Sequence, residues 1–196
     1  MAEPKNRQLS PRFEEALVFA TRLHAGQVRK VGGAPYISHL MAVAALVLQD
    51  GGGEDEAIAA LLHDAVEDQG GLKTLEEIRG RFGEAVAEIV AACSDTHETP
   101  KPPWKARKQA HIADVRQGSA GAQRVMLADK LHNARALLRE LRREGEAVWA
   151  HFNGGREGTL WYYANLHAAL AESRQGYLMD ELGRVIAEIE QLAGAG

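Results

Sequence analysis

The chain has 196 residues, 45% of them hydrophobic and 26% charged, and its 27 acids against 23 bases leave a formal net charge of −4. A chain of this length buries roughly 70% of the surface its unfolded form exposes, so one core suffices, and a single cysteine, Cys93, excludes an intramolecular disulfide. The mild acidity argues against polymeric nucleic acid as a partner; no run approaches the roughly 18 apolar residues of a membrane span, and polar Met1 to Ser10 is not a signal sequence, so a cytoplasmic location is expected.

Ala and Leu together number 54 against 24 for Val, Ile and Thr, a balance that predicts an all-α fold. Ser10-Pro11 reads as an N-cap followed by proline at the first helical position, and apolar residues then recur at helical spacing to about Ala25. Gly26 to Tyr36 is basic and turn-rich, with a short β-hairpin expected near residues 27–37. Ser38 looks like the cap of a second helix ending near Asp50. After Gly51 to Gly53, a third helix runs from Glu54 to about Asp68, with Glu54, Asp55 and Glu56 complementing its macrodipole. Thr74 with Glu77 forms a capping-box pattern, and Phe82-Gly83 separates that helix from one ending at Cys93. A polar loop over Asp95 to Pro103 follows. Further helices are predicted over Trp104–Arg116, Ser119–Arg143, Thr159–Arg174 and Leu178–Leu192, with Gly154, Gly155 and Gly158 as breaks.

Three of these helices are apolar around most of their circumference yet carry ionisable residues. Ala57 to Leu62 runs into His63-Asp64, Val125 to Ala128 runs into Asp129, and His39 opens the apolar run Leu40 to Leu48. A buried carboxylate without partners costs several kcal/mol or becomes neutral, so something must compensate these charges. His39, His63, Asp64 and Asp129 form a mixed N/O set suited to a divalent first-row metal: Mn²⁺, Fe²⁺, Co²⁺ or Zn²⁺. Neighbours on a helix differ by about 100° in direction, so His63 and Asp64 serve one ion only at a helix's inner edge. Glu67 and Asp68 follow one turn later, stacking four ionisable groups within two turns.

The segments HAGQVRK (His24 to Lys30), PYISHL (Pro35 to Leu40), ALLHDAVED (Ala60 to Asp68) and LADKLHNAR (Leu127 to Arg135) stand in an order and spacing that resembles the HD-domain metal-dependent phosphohydrolases. Within them the chain is most similar to the RelA/SpoT-related small alarmone hydrolases. The resemblance implies a helical HD fold, with a polar segment over 1–10 and one hydrolase domain over 11–193. It implies hydrolysis of the 3′-pyrophosphate of (p)ppGpp to GDP or GTP and pyrophosphate, with Mn²⁺ as cofactor and a small nucleotide, rather than polymeric nucleic acid or a membrane, as the ligand. The absence of a synthetase or regulatory region after residue 196 fits the stand-alone members. The family's metal ligands fall on His39, His63, Asp64 and Asp129 and its catalytic acidic pair on Glu67 and Asp68. Arg29 matches an arginine that lies against the purine, Lys30 a lysine near the phosphates, and Asn133 an asparagine that contacts the nucleoside.

Lys105, Lys108, Lys130 and Tyr163 are further candidates for substrate contact, whereas His24 is expected to pack beneath the site and His132 to point away from Asp129. The loop Val31-Gly32-Gly33-Ala34 is longer than in many long RelA/SpoT proteins, which bears on base selectivity. HFNGGREGTLWYY, beginning at His151, resembles other bacterial stand-alone members and carries no assigned role. Adenosine alarmones and the 2′-phosphate of NADPH are alternative substrates. A catalytically silent nucleotide sensor is the alternative of another class, against which the intact Glu67-Asp68 pair argues.

Overall fold

Ser10 accepts a hydrogen bond from the Arg12 amide (3.2 Å) and Pro11 opens α1 (Pro11–Leu23), as the cap-then-proline pattern predicts. The computed structural model describes residues 8–94 and 102–194; His97 and most of the expected polar loop fall outside them, as does most of the polar N-terminal segment. Helices α2 (Ile37–Gln49), α3 (Glu54–Leu62), α4 (Ala65–Asp68), α5 (Leu72–Phe82) and α6 (Glu84–Cys93) follow. Then come α7 (Trp104–Gln117), α8 (Ala120–Glu144), a 3-10 helix (Gly145–His151), α9 (Gly155–Ala171) and α10 (Tyr177–Gly194), with no strand among the described residues. The fold is all-α. The expected hairpin is reduced to one antiparallel bridge between Val28 and Pro35, closed by Arg29 N–H to Ala34 O (2.8 Å) and turned by Gly32 and Gly33 at φ of 80° and 64°.

Four local expectations are corrected. Ser38 lies inside the first turn of α2 and donates to Pro35 O (2.7 Å) rather than capping, because the tight turn at Pro35-Tyr36 leads straight into the helix. Thr74 lies buried within α5 and donates to Gln69 O (2.8 Å), while Gly71, at φ 64°, starts that helix. Gly154 does lie in the break before α9, but α9 already begins at Gly155, so Gly158 falls inside the helix rather than ending it; a Cβ would stand 2.6 Å from the Trp104 ring at Gly154 and 3.1 Å from it at Gly158. These two glycines provide the close approach that Trp104 needs. The fourth correction concerns the third predicted helix, which is two, α3 and α4, separated at His63 and Asp64.

Helix α3 is the axis of the core. Every residue from Ala57 to Leu62 is fully buried, with α1, α2, α6 and α8 packed round it. A helix apolar on all sides is stable only when surrounded in this way. The long α8 lies against α2, α3 and α6 on one side and α10 on the other, and α7 and α9 pack together at the far end. This arrangement brings the start of α2, the end of α3 and the middle of α8 to one place.

Candidate metal centre and adjoining cavity

At that place α2 supplies His39, the end of α3 supplies His63 and Asp64, and α8 supplies Asp129. His39 Nε2 lies 3.1 Å from Asp129 Oδ1 and 3.5 Å from Asp64 Oδ2; His63 Nε2 lies 3.1 Å from Asp64 Oδ2 and 3.5 Å from Asp129 Oδ1. Ligand atoms of His39, His63 and Asp129 all fall within 4.8 Å of one another. Adjacent His63 and Asp64 reach one point from the turn between α3 and α4: His63 keeps helical angles (φ −61°, ψ −30°), whereas Asp64 shifts to φ −93°, ψ −4° before α4 begins.

The donor set fits a divalent cation. The Nε2 atoms of His39 and His63 are buried without a hydrogen-bond partner, a costly arrangement for two imidazoles unless their lone pairs face a cation. The other ring nitrogen of each is held in place. His63 Nδ1 donates to Ala60 O (2.8 Å), which leaves Nε2 as the unprotonated nitrogen of the neutral ring. His39 Nδ1 lies 2.7 Å from His132 Nδ1. Burial, then the neighbouring His39 and Arg29, push the His132 pKa down to about 4, so His132 is neutral and free to accept. The expectation that His132 points away is therefore corrected: three residues along a helix bring a side chain to within about 60° of the starting direction.

The charges are strongly coupled. Burial opposes charge on His63, but the Asp64 carboxylate beside it and Asp129 outweigh that and raise its pKa well above the ordinary 6.5. Asp64 and Asp129 sit well below the usual carboxylate range despite burial, Asp64 chiefly through His63 and Asp129 chiefly through Lys130, whose Nζ lies 2.5 Å from Asp129 Oδ2. Lys130 is raised in turn by Asp129.

Beside these residues opens a cavity of about 410 Å³, within the usual range for small-molecule sites. Asp64, Glu67, Asp68, Arg29, Lys30, Lys108, Lys130, Asn133 and Tyr163 all line it. Arg29 donates to Asn133 Oδ1 (2.5 Å), and Asn133 Nδ2 donates to Asp129 Oδ1 (2.6 Å), so the basic loop is wired through α8 to the ligand set. Lys108 lies 5.1 Å from the Tyr162 ring centroid at the cavity wall. Lys105 is not brought to the cavity: exposed on the first turn of α7, its ammonium lies 5.6 Å from the Trp161 ring centroid instead.

Three residues of this neighbourhood escaped the sequence reading of the site. The Tyr36 hydroxyl donates to Asp64 Oδ2 (2.6 Å), its ring stacks on buried His24, and the Arg29 guanidinium lies 5.6 Å from its centroid. Gln27 donates to Asp68 Oδ2 (2.7 Å), while its oxygen takes Gln69 Nε2 and faces His24 Nδ1 (2.7 Å each). His132 is the third. Tyr36 and His132 each stand three residues from a ligand in sequence, the one signal that could have marked them.

Residues 16–160 match the HD-domain family model, and the chain belongs to the HD-domain family. Among curated relatives, it is 41% identical over 128 residues to the guanosine-3′,5′-bis(diphosphate) 3′-pyrophosphohydrolase MESH1 of Homo sapiens, covering 64% of this chain and 69% of that one. It is 32% identical over 151 residues to the protein of the same name from Drosophila melanogaster, covering 72% and 82%. Among solved structures it resembles a metazoan orthologue of SpoT described as hydrolysing ppGpp, with a TM-score of 0.75, 25% identity and coverage of 95% and 97%. A Listeria monocytogenes EGD-e protein matches with a TM-score of 0.68, 31% identity and coverage of 78% and 99%. No helix among the described residues is long and apolar enough to cross a membrane.

Proposed function

We propose that the chain is a metal-dependent phosphohydrolase that removes the 3′-pyrophosphate of guanosine-3′,5′-bis(diphosphate), leaving GDP and pyrophosphate. The observation that carries this reading is the convergence of two buried, unpartnered imidazole nitrogens and two carboxylates beside a nucleotide-sized cavity lined by Arg29, Lys30, Lys108 and Lys130, in a chain whose relatives bear that activity. His39, His63, Asp64 and Asp129 would hold the ion, with Mn²⁺ our choice among the divalent metals. A divalent ion bound there would lower the pKa of a coordinated water toward neutrality, which is the chemistry it would supply.

The remaining steps belong to side chains. Glu67 and Asp68, on α4 immediately after the ligand pair, face the cavity; Gln27 fixes one Asp68 oxygen and so orients the carboxylate. This pair would orient the water and take its proton as the water oxygen bonds to the 3′ phosphorus; the bond from that phosphorus to the ribose 3′ oxygen breaks, and the proton passes to the 3′ oxygen, leaving GDP and pyrophosphate. Lys30, Lys108 and Lys130 meet the phosphate oxygens, and the departing pyrophosphate keeps their charge compensation. Arg29, tied to Asn133 and with its guanidinium 5.6 Å from the Tyr36 ring centroid, presents a planar face on which a purine stacks, and Asn133 is placed to bond the nucleoside. Tyr163 contributes to the cavity wall.

The test is release of pyrophosphate by metal-stripped protein resupplied with Mn²⁺ and given the guanosine alarmone, the adenosine alarmone or NADPH in parallel. Metal-dependent pyrophosphate from the guanosine substrate at the highest kcat/KM is expected. Preference for the adenosine compound, or phosphate from NADPH alone, would replace the substrate, and binding without turnover would make the protein a sensor. Glu67→Gln combined with Asp68→Asn is expected to keep Mn²⁺ binding and lower kcat by about 10²–10⁴-fold. Unchanged turnover in that variant would overturn the assignment of the acidic pair.

A further inference from the structure

Asp50 lies at the end of α2, Glu56 in the first turn of α3, and Arg124 in the second turn of α8; these are the three helices that carry the ligand set. Their side chains meet away from the cavity. Arg124 places Nη1 2.6 Å from both Glu56 oxygens and Nε 3.0 Å from Asp50 Oδ2. Arg174, from the connection between α9 and α10, adds Nη2 at 3.2 Å to the same Asp50 oxygen and donates from Nη1 to Ala120 O at 2.9 Å, at the start of α8. Glu56 also accepts from the Gly53 amide (2.8 Å). All four side chains are largely covered, at 11–20% exposure.

The surrounding chain is shaped to this cluster. A Cβ at Gly52 would stand 2.7 Å from Glu56 Oε2 and 2.6 Å from Val47, and one at Gly121 would stand 3.0 Å from Glu56 Oε1. Glycines at both positions leave the carboxylate its room. Taking four charges out of water is a poor route to stability alone, since well-packed apolar residues commonly do as well. An arginine bonded to acids from two other helices does something that apolar packing does not: its planar, directional donors fix the sliding and rotation of one helix against another. Glu56 lies about two turns before His63, and Arg124 about a turn and a half before Asp129. A slip at this end therefore reappears undiminished among the ligand atoms.

We propose that Asp50, Glu56, Arg124 and Arg174 form a positioning clamp that sets the mutual register of α2, α3 and α8 and thereby the geometry and affinity of the metal site. The inference rests on the metal reading given above, and the test separates the two. Mn²⁺ and Co²⁺ are titrated alone, without substrate, into metal-stripped wild type, Arg124→Met, Glu56→Gln, the double variant and His63→Ala. Helical content is checked by circular dichroism, and binding is followed by calorimetry and the Co²⁺ absorption spectrum.

The wild type is expected to bind one ion and His63→Ala to bind none; failure of the wild type to bind overturns the metal reading and the clamp with it. Arg124→Met and Glu56→Gln are expected to fold, to weaken Mn²⁺ by about tenfold or more, and to shift the Co²⁺ spectrum. The double variant is expected to be no worse than the worse single one, because both remove the same link. A merely structural cluster would lower the melting temperature while leaving the affinity and the Co²⁺ spectrum at wild-type values, and that result overturns the clamp. Should Arg124→Met not fold, Glu56→Gln, which keeps shape and one acceptor oxygen, decides by the same two readouts.

Discussion

In the metal-free protein Asp64 and Asp129 favour the protonated form of His63, and with Nδ1 donating to Ala60 O the added proton goes to Nε2, the nitrogen whose lone pair a metal needs, so metal and proton compete for one atom. Its pKa is raised above 6.5, so in stripped protein the proton contributes stability in full below that pH, and the contribution fades as pH rises through the raised value. Mn²⁺ binding at pH 7 is accordingly expected to release a proton and to tighten with rising pH. Titrations in two buffers of different protonation enthalpy measure the release; identical heats would contradict it. His132 acts one bond further out, orienting His39 through Nδ1. His132→Ala is expected to cost about 10–100-fold in metal affinity with the fold intact, read by the same titration.

At the scale of the helix, much of the site was legible because burial and charge conflict in the sequence itself. His39, His63-Asp64 and Asp129 each interrupt an apolar run, and no core tolerates that without compensation. Less legible was whatever depends on how elements meet. The hydrophobic pattern continues through His63 and Asp64, so periodicity predicts one helix where two occur, and Tyr36 reads as an ordinary aromatic until α3 brings Asp64 to its hydroxyl. Glu56 likewise reads as an acid favouring a helix N-terminus, and only the packing of α8 shows its second role. Glycines mislead for a related reason: Gly158 looks like a break, yet it lies inside α9, and there, as at Gly154 in the turn before it, the indole of Trp104 occupies the space a side chain would fill. Gly154→Ala is expected to displace Trp104 from the cavity wall and to cost about 1–3 kcal/mol, seen as a lowered midpoint in urea.

The whole molecule is organised about α8, which brings Asp129, Lys130, His132 and Asn133 to the site within two turns and packs against both the α3 core and α10. Binding to a site assembled from three helices stabilises all of them, by about 2.7 kcal/mol when free ion exceeds Kd a hundredfold. Thermal melts are expected to shift upward with Mn²⁺ in wild type and to be insensitive to it in His63→Ala. The stop between α3 and α4 also has a consequence for anyone recognising or rebuilding such a centre. A search for the His-Asp word alone will report it wherever two letters fall together, and a graft of that word into an uninterrupted helix would splay its ligands. What must be transplanted is the place where a buried helix ends, and the dipeptide acquires its meaning from that ending.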